Sequence, residues 1–102
     1  MKNEPGLIVT TSWDDGQRID LKLAKLLDKY NLKGTFYVTK SYRNPLTQQD
    51  LLYLEKCHHE LGAHTLNHVK LTRVSKAMAY RQCIESKIYL EKIIGHKVNM
   101  FS

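Results

Sequence analysis

Two acidic residues and two histidines are the side chains whose types and spacing could do chemistry. Asp14 and Asp15 are adjacent and closely follow an apolar run, residues 7–9. His64 and His68 are four positions apart, which is one helical turn or the span of a tight loop. Two imidazoles at that spacing can bind one cation, at about 2.0 to 2.1 Å for zinc. The same spacing is also common in histidine pairs that have no metal.

The adjacent carboxylates repel each other unless they have different roles. A cation bound by one of them removes the repulsion and leaves the other free as a general base towards water. Asp14, Asp15 and Gly16 are equally typical of a simple turn that precedes a helix. A carboxylate that joined His64 and His68 would complete a catalytic type of metal site, with three protein ligands and one open position.

The elements that must position these residues are predicted to follow the order βαβαβαβ, an α/β arrangement. Residues 7–11 begin with the apolar run and residues 34–39 are rich in β-branched and aromatic side chains, which predicts two parallel strands, the first buried on both faces. A helix with one apolar face is predicted between them, ending at Asn31. Its apolar positions are Ile19, Leu23, Leu26, Leu27 and Tyr30.

The second half of the chain repeats this alternation. Thr47 and Asp50 predict a capping box and a second helix that Gly62 ends. The buried face of this helix is predicted to hold Leu51, Leu54, His58 and Leu61. Residues 63–65 predict a short third strand.

Ser75 is predicted to cap a third helix that Gly95 ends, and residues 97–102 predict the start of a fourth strand. The apolar positions of the third helix are Ala77, Tyr80, Ile84, Ile88, Leu90 and Ile94. The carboxyl ends of parallel strands meet at one edge of a sheet. We therefore expect Asp14, Asp15, His64 and His68 to lie at the same edge.

Two segments resemble motifs of the polysaccharide deacetylases, carbohydrate esterase family 4. The segment TSWDDG, residues 11–16, resembles the first motif, TFDDG, with Trp13 in place of phenylalanine. The segment ELGAHTLNH, residues 60–68, continued by LTRVS, resembles the second motif, H(S/T)xxH. KGTFYV, residues 33–38, matches the strand between them.

The resemblance implies a role for each matching residue. Asp14 would be the catalytic base, and Asp15, His64 and His68 would bind a divalent cation, usually zinc and sometimes cobalt, nickel or another ion. Thr65 would support the histidine loop from behind the ligands. The implied reaction is hydrolysis of N-acetyl groups on amino-sugar polymers, so the implied partner is an N-acetylated carbohydrate.

The family fold is an irregular (β/α) barrel that is considerably longer than this chain. Its later motifs, including the histidine that acts as general acid, are absent from the 102 residues. We therefore expect residues 1–102 to be a single truncated catalytic domain, the N-terminal half of an incomplete barrel that associates with another copy or with a missing C-terminal half. His58, His59 and His96 are expected to be structural or solvated.

Composition narrows the remaining possibilities. The formal net charge of +6 is spread over helices and loops, so we expect no nucleic-acid partner. No apolar run reaches the roughly 18 residues of a membrane span, and we expect a cytoplasmic chain, or an extracytoplasmic one if a leader was removed. Cys57 and Cys83 are expected to be free, buried thiols.

Two other functions remain open. The chain could be a non-catalytic fragment that binds metal or sugar, or a hydrolase of the same fold that acts on a non-sugar amide.

Overall fold

The structure, a computed structural model, describes residues 6–102. Its elements are β1 (Thr11–Trp13), α1 (Asp20–Lys29), β2 (Gly34–Val38), α2 (Gln48–Lys56), β3 (Glu60–Ala63), a 3-10 turn (Leu71–Arg73) and α3 (Lys76–Ile94). The strands form one parallel sheet in the order β1-β2-β3. The predicted α/β alternation and the parallel pairing of the first two strands are confirmed.

The centre of the core is β2, whose Phe36 and Val38 are almost completely buried. Leu51 and Leu54 of α2 and Leu90 of α3 are buried in the same cluster. Burying a side chain of this size contributes about 1.5 to 3 kcal/mol. The helices therefore hold the middle strand, β2, in place. The strands β1 and β3, which precede the candidate site, pair with β2 on its two sides.

The first strand begins later than residue 7, so the predicted position was wrong. Leu7, Ile8 and Val9 are 89%, 85% and 64% exposed, and pairing starts at Thr11, opposite Gly34. In the described sheet β1 is an edge strand, paired with β2 alone. This apolar run would be buried inside a larger sheet, but in the described sheet no second neighbouring strand packs beside it.

The boundary between α2 and β3 also differs from the prediction. The helix ends at Lys56 rather than at Gly62, and His58, which is exposed and has a φ of 68°, turns the chain towards β3. Gly62 lies within β3, where a Cβ would be 2.6 Å from the Tyr37 ring. This glycine is required for close approach of two strands and does not end a helix.

The predicted caps are present. Thr47 and Asp50 form a capping box, and the Ser75 hydroxyl accepts a hydrogen bond from the amide of Met78. Asn31 and Gly95 have φ values of 57° and 79°, the left-handed conformation expected at both helix ends.

The predicted apolar faces of α1 and α3 were wrong in part. Ile19, Leu26, Tyr30, Ala77, Tyr80 and Ile88 are exposed, whereas Asp20, Ala24, Leu27, Gln82, Ser86 and Leu90 are buried. The buried positions recur at four and three residues in α1 and at four residues in α3, so each helix has a buried stripe, but it is rotated away from the larger apolar side chains. The small sheet leaves those side chains uncovered among the described residues.

Near its end the chain runs alongside β3. Phe101 forms an isolated parallel bridge with Ala63, where residues 97–102 were predicted to begin a strand. Cys57 and Cys83 are free and half-buried. None of the helices between residues 6 and 102 has both the length and the apolarity needed to cross a membrane.

Candidate metal centre

Asp15, His64 and His68 converge on one point at the carboxyl ends of β1 and β3. The Asp15 Oδ1 atom is 2.9 Å from His68 Nε2 and 3.3 Å from His64 Nε2. One potential ligand atom from each of the three residues lies within 4.8 Å of the other two. The two segments that the sequence analysis singled out are therefore adjacent in space, as predicted.

The three residues fit a divalent cation. Four tetrahedral ligands with bonds of about 2.0 Å are separated by about 3.3 Å, which is close to the distances between Asp15 and the two imidazoles. Two imidazoles and one carboxylate suit zinc, cobalt and nickel. The side chains of Asp15, His64 and His68 are 40%, 19% and 30% exposed, so one side of the centre is open to water or substrate.

The His64 ring is oriented by a hydrogen bond on its far side. Its Nδ1 is 2.6 Å from the main-chain oxygen of Ser102, which can only accept, so we assign the ring proton to Nδ1. The lone pair of Nε2 then faces Asp15 and is available to a cation.

The His68 ring is stacked on Tyr42. The two ring centroids are 3.7 Å apart and the ring planes differ by 17°. The Arg43 guanidinium lies 5.3 Å from the Tyr42 centroid, so three flat groups follow one another. Tyr42 was not among the sequence candidates, and no feature of the residues around it predicted the stacking.

Strained backbone is concentrated at the centre. Asp15, Thr65 and His68 have φ values of 84°, 60° and 61°. For a β-branched residue such as Thr65 this conformation is rare, and each such residue costs on the order of 1 to 3 kcal/mol. Surrounding contacts must therefore hold both loops in place.

Gly16 fixes the loop that carries Asp15. It has a φ of 68°, and a Cβ on it would lie 2.7 Å from Cβ of Val38. Its carbonyl accepts a hydrogen bond of 2.9 Å from the Leu46 amide, and the Thr39 hydroxyl is 3.4 Å from the carbonyl oxygen of Asp15. The loop is thereby packed directly on the end of β2.

Asp14 and Thr65 differ in their exposure to solvent. Asp14 is exposed and is not one of the clustered potential ligands among residues 6–102. Thr65 is 5% exposed, and its hydroxyl has no hydrogen-bond partner in the described part of the chain. A cleft of about 330 Å³ on the histidine side of the centre is lined by His64, Thr65, His68, Leu71 and Phe101, among others.

Asp20 is a buried carboxyl group that the sequence analysis did not single out. Burial and, second, the charge of Asp15 raise the pKa of Asp20 to about 6. Its Oδ2 atom has no hydrogen-bond partner among the described residues. Positions 20, 24 and 27 share one face of α1, and this spacing was the available signal that Asp20 is buried. The larger apolar side chains of the helix favoured a different face as the buried one.

The other histidines are structural or solvated, as expected. His59 is buried, where its Nδ1 accepts a 3.1 Å hydrogen bond from the Gly34 amide and its Nε2 is 3.0 Å from Asp28. His58 and His96 are exposed, and His96 contacts Glu55. Gly34 and Glu60 begin β2 and β3, so His59 is at the end of the sheet opposite the candidate centre.

Parallel βα units with polar residues at the carboxyl ends of the strands place this chain among the α/β proteins that carry their sites at that edge of the sheet. The family model described as polysaccharide deacetylase matches residues 2–102. The chain therefore belongs to the polysaccharide deacetylase family. No curated protein sequence matches it.

Solved structures share the fold. The peptidoglycan deacetylase PdaC of Bacillus subtilis is 30% identical, with a TM-score of 0.77 over 90% of this chain and 46% of that one. The deacetylase PplD of Streptococcus pyogenes is 23% identical, with a TM-score of 0.81 over 90% of this chain and 43% of that one. A family 4 carbohydrate esterase from Bacillus anthracis is 21% identical, with a TM-score of 0.78 over 90% and 45%.

This chain thus spans less than half the length of these solved structures, and it corresponds to the N-terminal half of the family fold. The resemblance seen in the two sequence motifs, and the expected partial barrel, are confirmed.

Proposed function

We propose that this chain carries the cation site and the general base of an enzyme that removes N-acetyl groups from amino-sugar polymers. The observation that carries the proposal is the convergence of Asp15, His64 and His68 in a member of the polysaccharide deacetylase family. The similarity to a peptidoglycan deacetylase at 30% identity favours an acetylated cell-wall polymer as substrate. Such a substrate implies action outside the cytoplasm, the second of the two locations expected from the sequence.

In this proposal Asp15, His64 and His68 hold a divalent cation, with zinc the best match to the ligand types. When bound, the cation supplies Lewis acidity towards the acyl carbonyl and its attacking water. Asp15 is placed to share the cation with both imidazoles, because the same oxygen atom is close to each Nε2. The Ser102 main-chain oxygen keeps the proton of His64 on the nitrogen that faces away from the site.

Asp14 would take a proton from the attacking water. Its side chain is exposed and next in sequence to a carboxylate that the cation would neutralise, so it stays accessible to water. Thr65 would shape the histidine loop, since it adopts the left-handed turn that separates His64 from the rest of the segment.

Protonation of the leaving amine requires a further group. The three remaining histidines of the chain lie away from the centre, so none of them is suited to this role. Without a general acid the rate would fall by roughly two to four orders of magnitude. We therefore propose that full turnover needs a second polypeptide surface, from another copy or from a C-terminal half.

The uncovered edge strand β1 and the exposed Leu7, Ile8 and Val9 favour such an association. A monodisperse, well-folded monomer in light scattering would contradict it.

The same incompleteness supports a second candidate, a fragment that binds metal or sugar without turnover. A hydrolase that acts on a non-sugar amide is the third. Metal-free protein should be reconstituted with zinc or cobalt, and acetate release should be measured from chitooligosaccharides, peptidoglycan fragments and simple acetamides.

We expect acetate release from a sugar substrate that Asp14→Asn abolishes while metal stoichiometry stays at wild-type level. Metal binding without acetate release from any substrate would favour the fragment, and release from acetamides alone would favour the third candidate. A folded protein that binds neither metal would overturn the cation site.

A further inference from the structure

We propose that Gln82 of α3 is a positioning residue for the loop that carries His64 and His68. Its side chain holds the loop in the conformation in which both imidazoles face Asp15. This inference rests on the proposed cation site, and nothing in the sequence motifs or the family comparison assigns Gln82 a role.

Both polar atoms of the Gln82 side-chain amide bind the loop. Its Oε1 accepts hydrogen bonds of 3.0 Å from the Leu66 amide and 2.9 Å from the Asn67 amide. Its Nε2 donates a 2.9 Å hydrogen bond to Oδ1 of Asn67. Because two main-chain N–H groups require an acceptor, the orientation of the Gln82 amide is unambiguous.

Among residues 6–102, the Leu66 and Asn67 amides bond to no acceptor other than Gln82. The last residue of β3 is Ala63, and Thr65 turns the chain away from the sheet with a φ of 60°. The following amides, of Leu66 and Asn67, have therefore left the ladder and need side-chain or water partners. Gln82 provides both from a side chain that is only 7% exposed, so water competes poorly.

The peptide groups around Leu66 are held from two directions. The carbonyl of Leu66 accepts hydrogen bonds from the amides of Lys40 and Ser41, at 2.9 and 3.3 Å, in the loop that follows β2. Its own amide is bound to Gln82 on α3. The midpoint between the two histidines is thereby fixed to two separate elements of the fold.

Asn67 extends the connection towards His68. Its Nδ2 donates a 2.5 Å hydrogen bond to the Ser41 hydroxyl, while its Oδ1 accepts from Gln82. Ser41 precedes Tyr42, whose ring is stacked on His68. A continuous series of contacts therefore leads from α3 through Asn67 to the face of a proposed ligand.

Gln82→Ala removes the three hydrogen bonds that Gln82 makes to Leu66 and Asn67, whereas Gln82→Glu retains an oxygen that can accept from both main-chain amides. Leu90→Ala is the matched control, because Leu90 is buried on the same helix and belongs to the core rather than the loop. The three variants and the wild type should be compared in zinc affinity by calorimetry, in the cobalt absorption spectrum and in hydrogen exchange of the metal-free proteins.

We expect Gln82→Ala to weaken zinc binding about 10- to 100-fold, the range found for groups that orient metal ligands. Its cobalt spectrum should change, and the Leu66 and Asn67 amides should lose protection. Gln82→Glu should restore protection and most of the affinity. Leu90→Ala should lower stability but keep wild-type affinity and the wild-type cobalt spectrum.

Wild-type affinity and spectrum in Gln82→Ala would overturn the inference, as would an equal loss in Leu90→Ala. If the wild type itself binds neither metal, the proposed function fails separately. Hydrogen exchange of the metal-free proteins then still tests whether Gln82 holds the loop. Selective loss of protection at the Leu66 and Asn67 amides in Gln82→Ala supports this role, and unchanged protection overturns it.

Discussion

His68 Nε2 lies 2.9 Å from Asp15 Oδ1, although 53 positions separate the two residues in the chain. The parallel order β1-β2-β3 produces this contact, because the loops that follow β1 and β3 leave the same edge of the sheet. The contact also brings His64 to within 3.3 Å of the same oxygen.

Removal of either proposed histidine ligand should abolish stoichiometric zinc binding. His64→Ala and His68→Ala each leave two protein ligands, too few for a stable site with an open position. His96→Ala is the matched control, since this exposed histidine lies away from the centre. Metal analysis of dialysed protein tests the prediction, and wild-type stoichiometry in both ligand variants would contradict it.

Gly16→Ala should destabilise the protein more than Gly95→Ala. Both glycines have positive φ values, 68° and 79°, so both substitutions carry the left-handed backbone cost of about 1 to 2 kcal/mol. At Gly16 the added Cβ would also lie 2.7 Å from Val38, whereas at Gly95 nothing is within 4 Å. Overpacking adds about 1 to 3 kcal/mol.

Urea denaturation gives the two free energies of unfolding. Because Gly16 adjoins Asp15, Gly16→Ala should also weaken zinc binding. Equal destabilisation by the two substitutions would show that the contact with Val38 is unimportant.

Asp20→Asn should stabilise the metal-free protein at pH 7.5 and have little effect near pH 4. Burial and the nearby charge of Asp15 raise the pKa of Asp20 to about 6 in the folded state. The folded protein therefore binds the proton more tightly than the unfolded chain, so this group costs stability as the pH rises through about 4 to 6. Above about pH 6 the full cost of ionising Asp20 is present in the wild type. The asparagine side chain of the variant does not ionise and avoids this cost.

The expected gain is on the order of 1 to 3 kcal/mol. Denaturation of the wild type and Asp20→Asn at the two pH values provides the test. A gain of the same size at both would mean that ionisation is not its cause.

His59 should make the folded protein sensitive to mild acid. Burial lowers the pKa of His59, and the Gly34 amide occupies Nδ1, where protonation would occur. The unfolded chain takes up the proton first, so the stability contribution is complete above the ordinary value of about 6.5 and is lost as the pH falls through the folded pKa. The slope cannot exceed about 1.4 kcal/mol per pH unit.

His59→Gln retains an acceptor for Gly34 but does not titrate, so its stability should fall less between pH 7.5 and 5. His58→Gln removes an exposed histidine and should behave as the wild type does. Denaturation curves give the free energy of unfolding of the three proteins at each pH. If this free energy has the same pH dependence in all three, His59 has no role in the acid sensitivity.

The convergence at the centre was predictable because the two pairs of candidate residues lie at or near the ends of two predicted strands. Parallel strands joined by helices leave little choice about which edge those residues occupy. The residues that hold the loops were harder to find. Gln82 lies on the buried stripe of α3 with Ser86 and Leu90, but Tyr80 and Ile88 offered a more apolar stripe.

Strand boundaries were mispredicted where tertiary structure decides them. Residues 7–9 have the composition of a buried strand, and only the absence of a second neighbour in the described sheet leaves them exposed. Gly62 is a residue type that commonly ends helices, but here a glycine is needed because the Tyr37 ring on the adjacent strand leaves no room for a Cβ. Neither contact is local in sequence, so no local pattern could have indicated it.

The position of β2 between the two ligand-bearing loops has a consequence for folding. A cation held by Asp15, His64 and His68 would act as a reversible cross-link that closes the 53-residue separation between Asp15 and His68. The cross-link can form only after both strand pairings are in register, so the cation binds the native chain in preference to the unfolded one. At a free concentration of 100 times its dissociation constant it would stabilise the fold by about 2.7 kcal/mol.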